Sequence, residues 1–257
     1  YFTSKENIRI SYDKNIQKDN YSVGDIIFVL SEEINAEEEF ELHISVEKVV
    51  TIKANPCGCR GVLYGANMFL KYVREYGRNN LPEMAIKSCP ATKERTVMLD
   101  CARKYFTPEW IKNFIRMISW MGYNSLELHF TEEQGIRMNI WDSDFFKSAN
   151  GNDFSWICGS KSARWVENCP DPDAGKFFNA AEIVEILKTA EKYCIEIIPA
   201  FDMPGHSNYL TYTYRKHVST LGADDEIFRY HGNVYTLSGC YENGTARFIN
   251  NGGREYT

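Results

Sequence analysis

Three short apolar segments constrain the fold of this chain more than any other feature. They are TVMLD at 96–100, NSLELHF at 124–130 and IEIIPAF at 195–201. The intervals between them are long enough to hold a helix each. Apolar strands joined by helical crossovers are typical of parallel sheets whose faces are covered by helices. We therefore expect three parallel strands.

The intervals between these segments carry helix signals. Thr107 can cap a helix that has Pro108 in its first turn, and Gly122 can end that helix. Its apolar side chains are predicted to form one broad stripe, made of Trp110, Ile111, Phe114, Ile115, Ile118 and Met121. Asn179 with Glu182 resembles a capping box and opens a second helix, AAEIVEILKTAEKYC.

Polar residues follow the carboxyl end of each predicted strand and decide between two parallel architectures. They are Asp100 with Arg103, residues 129–134 and residues 202–206. No strand is followed by the glycine-rich phosphate loop of a dinucleotide-binding sheet. In (β/α)₈ barrels the active site is built at this edge. We therefore predict an α/β fold in which residues 93–257 form the first part of a (β/α)₈ TIM barrel.

This barrel is expected to be incomplete, because a closed one needs eight strands and only three are evident. An open barrel would expose strand edges and apolar surface. We expect poor solubility or self-association through that edge.

Residues 1–92 show a different pattern and are predicted to form a small α+β domain with an antiparallel sheet. Segments 25–31 and 40–54 alternate apolar and polar residues, as half-buried strands do. Residues 61–77 have a helical pattern whose predicted apolar face consists of Leu63, Met68, Phe69 and Tyr72. Segment 77–94 is rich in Asn, Pro and Lys and is expected to be a linker.

Composition excludes several classes of function. The net charge of −6 and the lack of a Lys/Arg run argue against a nucleic-acid partner. No segment approaches the roughly 18 apolar residues of a membrane span, and the polar opening YFTSKENIRISYDK is not a secretory signal. Of the eight cysteines, Cys57 and Cys59 are close together, which alone is a weak metal signal. We expect free thiols, one disulfide at most, and no metal.

The residues at the predicted barrel rim suit a sugar ligand. Arg103 supplies forked donors that match vicinal hydroxyls or a carboxylate. An imidazole at His206, paired with a carboxylate, can orient another acid. A long loop also carries aromatic residues that either stack on sugar rings or pack within the loop, namely Trp141, Trp156 and Trp165.

Three motifs in this order and spacing resemble glycoside hydrolase family 20, the β-N-acetylhexosaminidases and lacto-N-biosidases. They are RTVMLDCARKYFTPEW, LELHFTEEQGIR and IEIIPAFDMPGH. The resemblance covers roughly residues 95–210, and GVLYGANMFL is similar to the end of the small non-catalytic domain of that family.

The resemblance implies a role for each rim residue. Arg103 corresponds to the arginine that holds sugar hydroxyls, with Asp100 nearby. His129 matches the histidine of the second-strand motif, and Asp202 is a polar partner at the rim. These four residues are therefore expected to bind substrate.

Two further residues are expected to support catalysis. Glu132 stands where the family usually has aspartate, and His206 is the histidine of DMPGH; together they would support the catalytic glutamate. The longer side chain at 132 changes the hydrogen-bond geometry. Two other positions depart from the family pattern: Ala200 replaces an acid, and Thr96 stands where glycine is common.

The resemblance implies substrate-assisted, retaining hydrolysis without metal or organic cofactor. The 2-acetamido carbonyl of the sugar attacks the anomeric carbon, an aspartate stabilises the oxazolinium, and the adjacent glutamate serves as acid and then base. The substrate would be an oligosaccharide or glycoconjugate with terminal N-acetylhexosamine, either GlcNAc or GalNAc. Both an exo-hexosaminidase and a lacto-N-biosidase fit. Such enzymes meet glycans outside the cell, which implies a secreted or cell-surface location.

The catalytic Asp-Glu pair of the family lies at the end of the fourth strand and is not evident in this sequence. Asp225-Glu226 follows His206 too closely and is expected to be an exposed acidic turn. The tail 239–257, rich in Gly and Asn, shows no strand pattern. A non-catalytic carbohydrate-binding protein that keeps Arg103 is thus an alternative. A lyase or aldolase would need a Schiff-base lysine at a strand end, and none of the three strands supplies one.

Overall fold

The computed structural model divides into two compact units, Tyr1–Ala91 and Thr92–Thr257. Side chains are described for residues 22–132, 135–139, 173, 175–202 and 206. The strands at 159–160, 226–230, 233–240, 245–250 and 255–256 are described as backbone.

The first unit holds a four-stranded sheet in the order β1-β3-β2-β4. The elements are β1 (Ile26–Leu30), β2 (Phe40–Ile44), β3 (Val50–Ala54), α1 (Arg60–Tyr76) and β4 (Met84–Ser88). β2 runs antiparallel to β3 and β4, whereas β1 runs parallel to β3. The predicted antiparallel pairing is thus present among β2, β3 and β4, and the parallel pairing of β1 with β3 makes the sheet mixed.

The expected linker at 77–94 was wrong in its central part, which forms the edge strand β4. Ile86 pairs with Leu42, and the strand alternates partly buried and exposed residues. Pro82 and Pro90 lie just outside the strand, where proline is tolerated. The prolines indicated a loop, but they only bound a five-residue strand.

Helix α1 packs very closely on this sheet. Its buried residues are Gly61, Tyr64, Gly65 and Phe69. A Cβ at Gly65 would lie 2.5 Å from Cγ2 of Ile52, so only glycine fits without movement. Leu63, which was predicted on the buried face, is only partly buried. Phe69 of the predicted face is buried, and Met68 and Tyr72 pack against the same core. The predicted face is therefore confirmed except at Leu63, and two glycines bring the helix close to the sheet.

The second unit contains the predicted βα units. Its elements are β5 (Thr96–Asp100), α2 (Pro108–Met121), β6 (Ser125–His129), β7 (Thr131–Glu132), β8 (Gly135–Ile136), β9 (Met138–Asn139), β10 (Gly159–Ser160), β11 (Phe178–Asn179), α3 (Ala180–Lys192), β12 (Glu196–Ala200), β13 (Glu226–Tyr230), β14 (Asn233–Cys240), β15 (Thr245–Asn250) and β16 (Glu255–Tyr256). β5, β6 and β12 form a parallel sheet with β6 in the centre. This confirms the three predicted parallel strands.

Both predicted helix caps are present. The Thr107 side chain accepts a 3.2 Å hydrogen bond from the amide of Trp110, and Gly122 adopts the left-handed conformation that ends α2. At α3 the side chain of Asn179 accepts from the amide of Glu182, and the Glu182 carboxylate accepts from the amide of Asn179, each at 2.9 Å. The local signals thus fix where each helix begins.

The core of the second unit lies between the parallel sheet and helices α2 and α3. It is formed by residues that include Ile111, Ile115, Ile118, Leu126, Leu128, Phe178 and Ile186. The predicted stripe on α2 was too wide, because Trp110 is 43% exposed and Met121 is 60% exposed. Trp110 instead packs its ring on Phe106 and Phe114, at centroid distances of 4.5 and 5.2 Å.

Short strands follow β6 directly. β8 pairs antiparallel with β7 and β10, and β9 pairs parallel with β11, which leads into α3. These pairings connect the segment after β6 to the start of the next helix.

The expectation that the tail lacks strands was wrong. β13 to β16 form an antiparallel sheet in sequence order. Gly239 pairs with Ala246 and Asn250 pairs with Tyr235. Glycine and asparagine therefore do not exclude strands in this segment. Among the helices of the described part of the chain, none is long and apolar enough to cross a membrane.

Candidate active site

The parallel register brings the carboxyl ends of the three strands together. Asp100 lies beside His129, and His129 lies beside Ala200. The amides of Cys101 and Ala102 both donate to the carbonyl of His129, at 3.0 and 3.1 Å. The loop after β5 is thereby held against the end of β6, and the predicted rim residues on these loops become neighbours.

Arg103 is bracketed by two carboxylates. Its Nη1 donates to Oδ2 of Asp100 at 2.8 Å, and its Nη2 donates to Oε1 of Glu132. The backbone amide of Arg103 also donates to Oδ1 of Asp100 at 3.0 Å, so Asp100 fixes both ends of the residue. The side chain remains 48% exposed. It is thus held in one place while staying accessible to a ligand.

The carboxylates around Arg103 raise its pKa by more than desolvation lowers it. Desolvation lowers the pKa of Arg103, but the hydrogen bond to Asp100 and the charges of Glu132, Asp100 and Asp202 raise that pKa above its ordinary value overall. The guanidinium is therefore permanently charged.

Glu132 is the buried centre of the site. Its side chain is 3% exposed, and its two oxygens have different partners. Oε1 accepts from Arg103, and Oε2 lies 2.9 Å from Nδ1 of His206. A buried carboxylate needs such partners, because an unpaired one would be strongly destabilising. The additional methylene of glutamate thus still allows contact with the predicted partner His206.

His206 has an unusual backbone. Its φ is 53°, in the left-handed region that residues with a Cβ seldom adopt. Its side chain is 55% exposed, and Nδ1 is the ring nitrogen that contacts Glu132. A strained backbone at such a position is typical of a functional site.

His129 and Asp202 complete the group. Nε2 of His129 lies 3.6 Å from Oε1 of Glu132 and 3.7 Å from Oδ2 of Asp202, which is too long for direct hydrogen bonds. The amide of Asp202 donates to Oγ1 of Thr131 at 2.8 Å. Thr131 was not predicted. Its position two residues after His129, before the acids of the motif, is the signal that could have identified it.

Three of these side chains offer potential metal ligands. Donor atoms of His129, Glu132 and Asp202 lie within 4.8 Å of one another. However, Oε1 of Glu132 already accepts from Arg103. The guanidinium therefore supplies the positive charge that a metal would bring, and a cation there would be repelled by it.

A second arginine beside the site was missed by sequence reasoning. Arg137 is fully buried, and its guanidinium donates to the carbonyls of Ala102, Asp173 and Lys176 at 3.3, 2.8 and 2.9 Å. An arginine between Ile136 and Met138, two buried apolar residues, is the sequence signal that could have indicated it.

Some predicted features cannot be placed. Trp141, Trp156, Trp165 and Asp225 lie outside the described residues. The expected acidic turn was wrong at Glu226, which is the first residue of β13 and pairs with Thr236 of β14. Among the cysteines whose side chains are described, Cys57, Cys89 and Cys101 are free thiols.

Comparison with known proteins places this arrangement in a family. Residues 93–253 match the model of the glycosyl hydrolase family 20 catalytic domain. The chain is 29% identical to a beta-hexosaminidase of Vibrio furnissii over 155 residues, and 29% identical to the N,N'-diacetylchitobiase of Vibrio harveyi over 151 residues. Each alignment covers 57% of this chain, but only 24% and 17% of those relatives. The chain therefore spans a quarter or less of their length.

Solved structures agree at the level of the fold. The family 20 exo-β-N-acetylglucosaminidase of Vibrio harveyi, in complex with N-acetylglucosamine, matches with a TM-score of 0.61 and 22% identity, over 87% of this chain and 33% of that protein. The N-acetyl-β-hexosaminidase of Streptomyces plicatus matches with a TM-score of 0.59 and 21% identity, over 88% and 40%. The partial coverage fits the first part of a barrel. On the family match over most of the second unit, this chain belongs to glycosyl hydrolase family 20.

Proposed function

We propose that this chain is part of a glycosidase that removes terminal β-linked N-acetylhexosamine, or a disaccharide, from glycans. The observation that carries the proposal is the arrangement of Arg103, Glu132 and His206. An accessible guanidinium lies beside a buried carboxylate whose second oxygen contacts an imidazole. Family membership supports the same activity.

Arg103 is proposed to hold the sugar. A guanidinium has five N–H donors, and the contacts with Asp100 and Glu132 engage Nη1 and Nη2. These contacts fix the plane of the guanidinium, so little side-chain entropy is lost when vicinal hydroxyls bind. His129 and Asp202 lie close enough to add polar contacts to the same ligand.

Glu132 and His206 are proposed to support the catalytic acid. The buried carboxylate favours a proton on Nδ1 of His206 and thereby orients the ring. The oriented imidazole would support a further acid. That acid would protonate the leaving oxygen while the 2-acetamido carbonyl of the sugar attacks the anomeric carbon. Water would then open the oxazolinium with net retention. This mechanism uses no metal or organic cofactor.

Self-association through the open barrel edge is proposed as well. Met98 and Ile198 are exposed on the face of the parallel sheet opposite to the helix-covered face. The register places them on either side of Glu127. Exposed apolar side chains on a sheet face favour association with another surface. We also propose a secreted or cell-surface location, where glycans are encountered.

A second candidate is a non-catalytic carbohydrate-binding protein. Glu226 begins an antiparallel strand, whereas the catalytic pair of the family follows a parallel barrel strand. This observation argues against Asp225-Glu226 as the catalytic pair, and the second candidate binds sugar through Arg103 without such a pair. The two candidates share a ligand and differ in turnover.

Hydrolysis of a chromogenic β-N-acetylglucosaminide separates them. The chain is assayed beside its Arg103→Ala variant, with Arg116→Ala on the surface of α2 as a matched control. Turnover that Arg103→Ala abolishes and Arg116→Ala preserves supports the glycosidase. A folded wild-type chain that binds N-acetylglucosamine without turnover supports the binding protein, and a folded chain that does neither contradicts both.

A further inference from the structure

We propose that Arg137 is a positioning residue that holds Arg103 and Glu132 in place relative to each other. Arg137 stands between β8 and β9 and is completely buried. The hydrogen bonds of its guanidinium that carry the proposal are made to backbone carbonyls. The part of the proposal that concerns sugar binding rests on the proposed function above, whereas the part that concerns the geometry of Arg103 does not.

The first link runs from Arg137 to the loop that carries Arg103. Nε of Arg137 donates to the carbonyl of Ala102 at 3.3 Å. The amide of Ala102 donates to the carbonyl of His129 at 3.1 Å. The residue before Arg103 is thus held at both its amide and its carbonyl. Without the contact to Arg137, the carbonyl of Ala102 would lose this anchor, although the amide of Ala102 would still bind His129.

The second link runs from Arg137 to the segment that carries Glu132. The backbone amide of Arg137 donates to the carbonyl of Phe130 at 3.0 Å, next to the pairing of Glu132 with Gly135. This hydrogen bond extends the antiparallel pair of β7 and β8, which contains Glu132, by one step to Arg137. Its side chain reaches from this pair to the neighbouring loop, so one residue connects the backbones that present the two charges.

A third contact region anchors the guanidinium. Nη1 donates to the carbonyls of Asp173 and Lys176, and the amide of Phe178 donates to the carbonyl of Arg137 at 2.6 Å. The guanidinium also lies 6.0 Å from the centre of the Tyr105 ring, which itself stacks on Phe178. Arg137 thus joins the loops after β5 and β6 to the segment that leads into α3.

The chemistry of this position requires arginine. The planar fork directs Nε at one carbonyl and Nη1 at two others, and a lysine ammonium cannot reproduce that geometry from a single nitrogen. Arg137→Lys keeps the charge and most of the volume while losing the fork. Arg137→Met removes the charge as well and is the more disruptive variant.

The first experiment needs no substrate. Hydrogen exchange of the Arg103 guanidinium protons is measured by NMR in the wild type, in Arg137→Lys and in the surface control Arg116→Lys, at a temperature where all three are folded. We expect protected Arg103 protons in the wild type and the control, and at least tenfold faster exchange in Arg137→Lys. Unchanged protection in Arg137→Lys overturns the proposal.

The second experiment is a double-mutant cycle on the affinity for N-acetylglucosamine. We expect Arg137→Lys to weaken the binding of N-acetylglucosamine roughly tenfold. A displaced Arg103 would lose about one hydrogen bond to the sugar, and a hydrogen bond to a charged group accounts for such a factor. In an Arg103→Ala background, Arg137→Lys should have almost no further effect, because both changes act through the same contact. Equal weakening in both backgrounds contradicts the proposal, since a merely structural role would give additive effects.

The two experiments keep the two proposals apart. A wild-type chain that does not bind N-acetylglucosamine refutes the proposed function, and the exchange experiment alone then decides the role of Arg137. If Arg137→Met fails to fold, Arg137→Lys still gives both readouts.

Discussion

Glu132 and His206 are separated by 74 positions in the sequence, yet Oε2 of the glutamate lies 2.9 Å from Nδ1 of the histidine. The other oxygen of the same carboxylate accepts from Arg103. One buried acid thus connects the guanidinium that is proposed to hold the sugar to an imidazole. Changes at Glu132 should therefore affect both partners at once.

Replacing the carboxylate of Glu132 by an amide should weaken ligand binding and also lower the stability of the folded protein. Glu132→Gln keeps the shape but removes the charge that Arg103 and His206 contact. We expect a loss of about 1–3 kcal/mol in the free energy of unfolding, less than for a fully buried pair because Arg103 is half exposed. Urea denaturation measures it, and Glu185→Gln on the surface of α3 is the control. Equal stability of both variants would contradict the arrangement.

Shortening the side chain of Glu132 should prevent it from contacting Arg103 and His206 at the same time. Glu132→Asp keeps the charge, but without a methylene it cannot hold Arg103 and His206 in the present backbone geometry. We expect an affinity for N-acetylglucosamine that lies between those of the wild type and Glu132→Gln. Calorimetric titration of the three proteins checks this order. Tighter binding by Glu132→Asp than by the wild type would show that the glutamate is not the better fit.

The backbone of His206 predicts an unusual ranking of substitutions. Its φ of 53° is costly for residues with a Cβ, by roughly 1–2 kcal/mol, and free for glycine. Both His206→Gly and His206→Ala lose the contact with Glu132. Because only alanine keeps the strain, His206→Gly should be the more stable variant in urea denaturation, by about 1 kcal/mol. A more stable His206→Ala would mean that the left-handed conformation does not persist.

The buried thiol of Cys101, two residues before Arg103, should be unreactive in the native protein. Burial, reinforced by the charge of Asp100, raises the pKa of Cys101 to about 12. At pH 8 the reactive thiolate is therefore only about one part in ten thousand. Iodoacetamide labelling with peptide mass spectrometry should modify the exposed Cys57 and Cys89 and spare Cys101 until urea is added. Labelling of Cys101 at the rate of Cys89 in the native protein would contradict its burial.

The close approach of α1 to its sheet predicts a sharp difference between two glycines. A Cβ at Gly65 would lie 2.5 Å from Cγ2 of Ile52, within a packed core, whereas a Cβ at Gly58 would meet only the flexible side chain of Glu37. Gly65→Ala should cost about 1–3 kcal/mol in the free energy of unfolding, as overpacking usually does. Gly58→Ala should change it by less than about 1 kcal/mol. Similar effects of both substitutions would argue against the tight packing.

The parts of this molecule that follow local rules were predictable from sequence. Caps at Thr107 and Asn179 depend on neighbours within three residues, and their hydrogen bonds form as expected. Parallel strands place their carboxyl ends side by side, so the nearness of Asp100 and His129 also follows from the pattern.

Other parts depend on contacts that no local pattern reveals. Strand β4 is stabilised by pairing with β2, more than forty residues away, and its flanking prolines suggested a loop. Arg137 finds its acceptors on backbone carbonyls, which carry no residue-specific signal. In the tail, Gly and Asn indicated irregular chain, although Gly239 and Asn250 lie in strands that pair across the sheet.

The most direct test of the account is a calorimetric titration of the chain with N-acetylglucosamine, beside Arg103→Ala and the surface control Arg116→Ala. The bracketed guanidinium should contribute at least one hydrogen bond to a charged group, so Arg103→Ala should weaken binding by about tenfold or more. Arg116→Ala should leave the affinity unchanged. Equal affinities of the wild type and Arg103→Ala, with both proteins folded, would contradict the claim that this site holds the sugar.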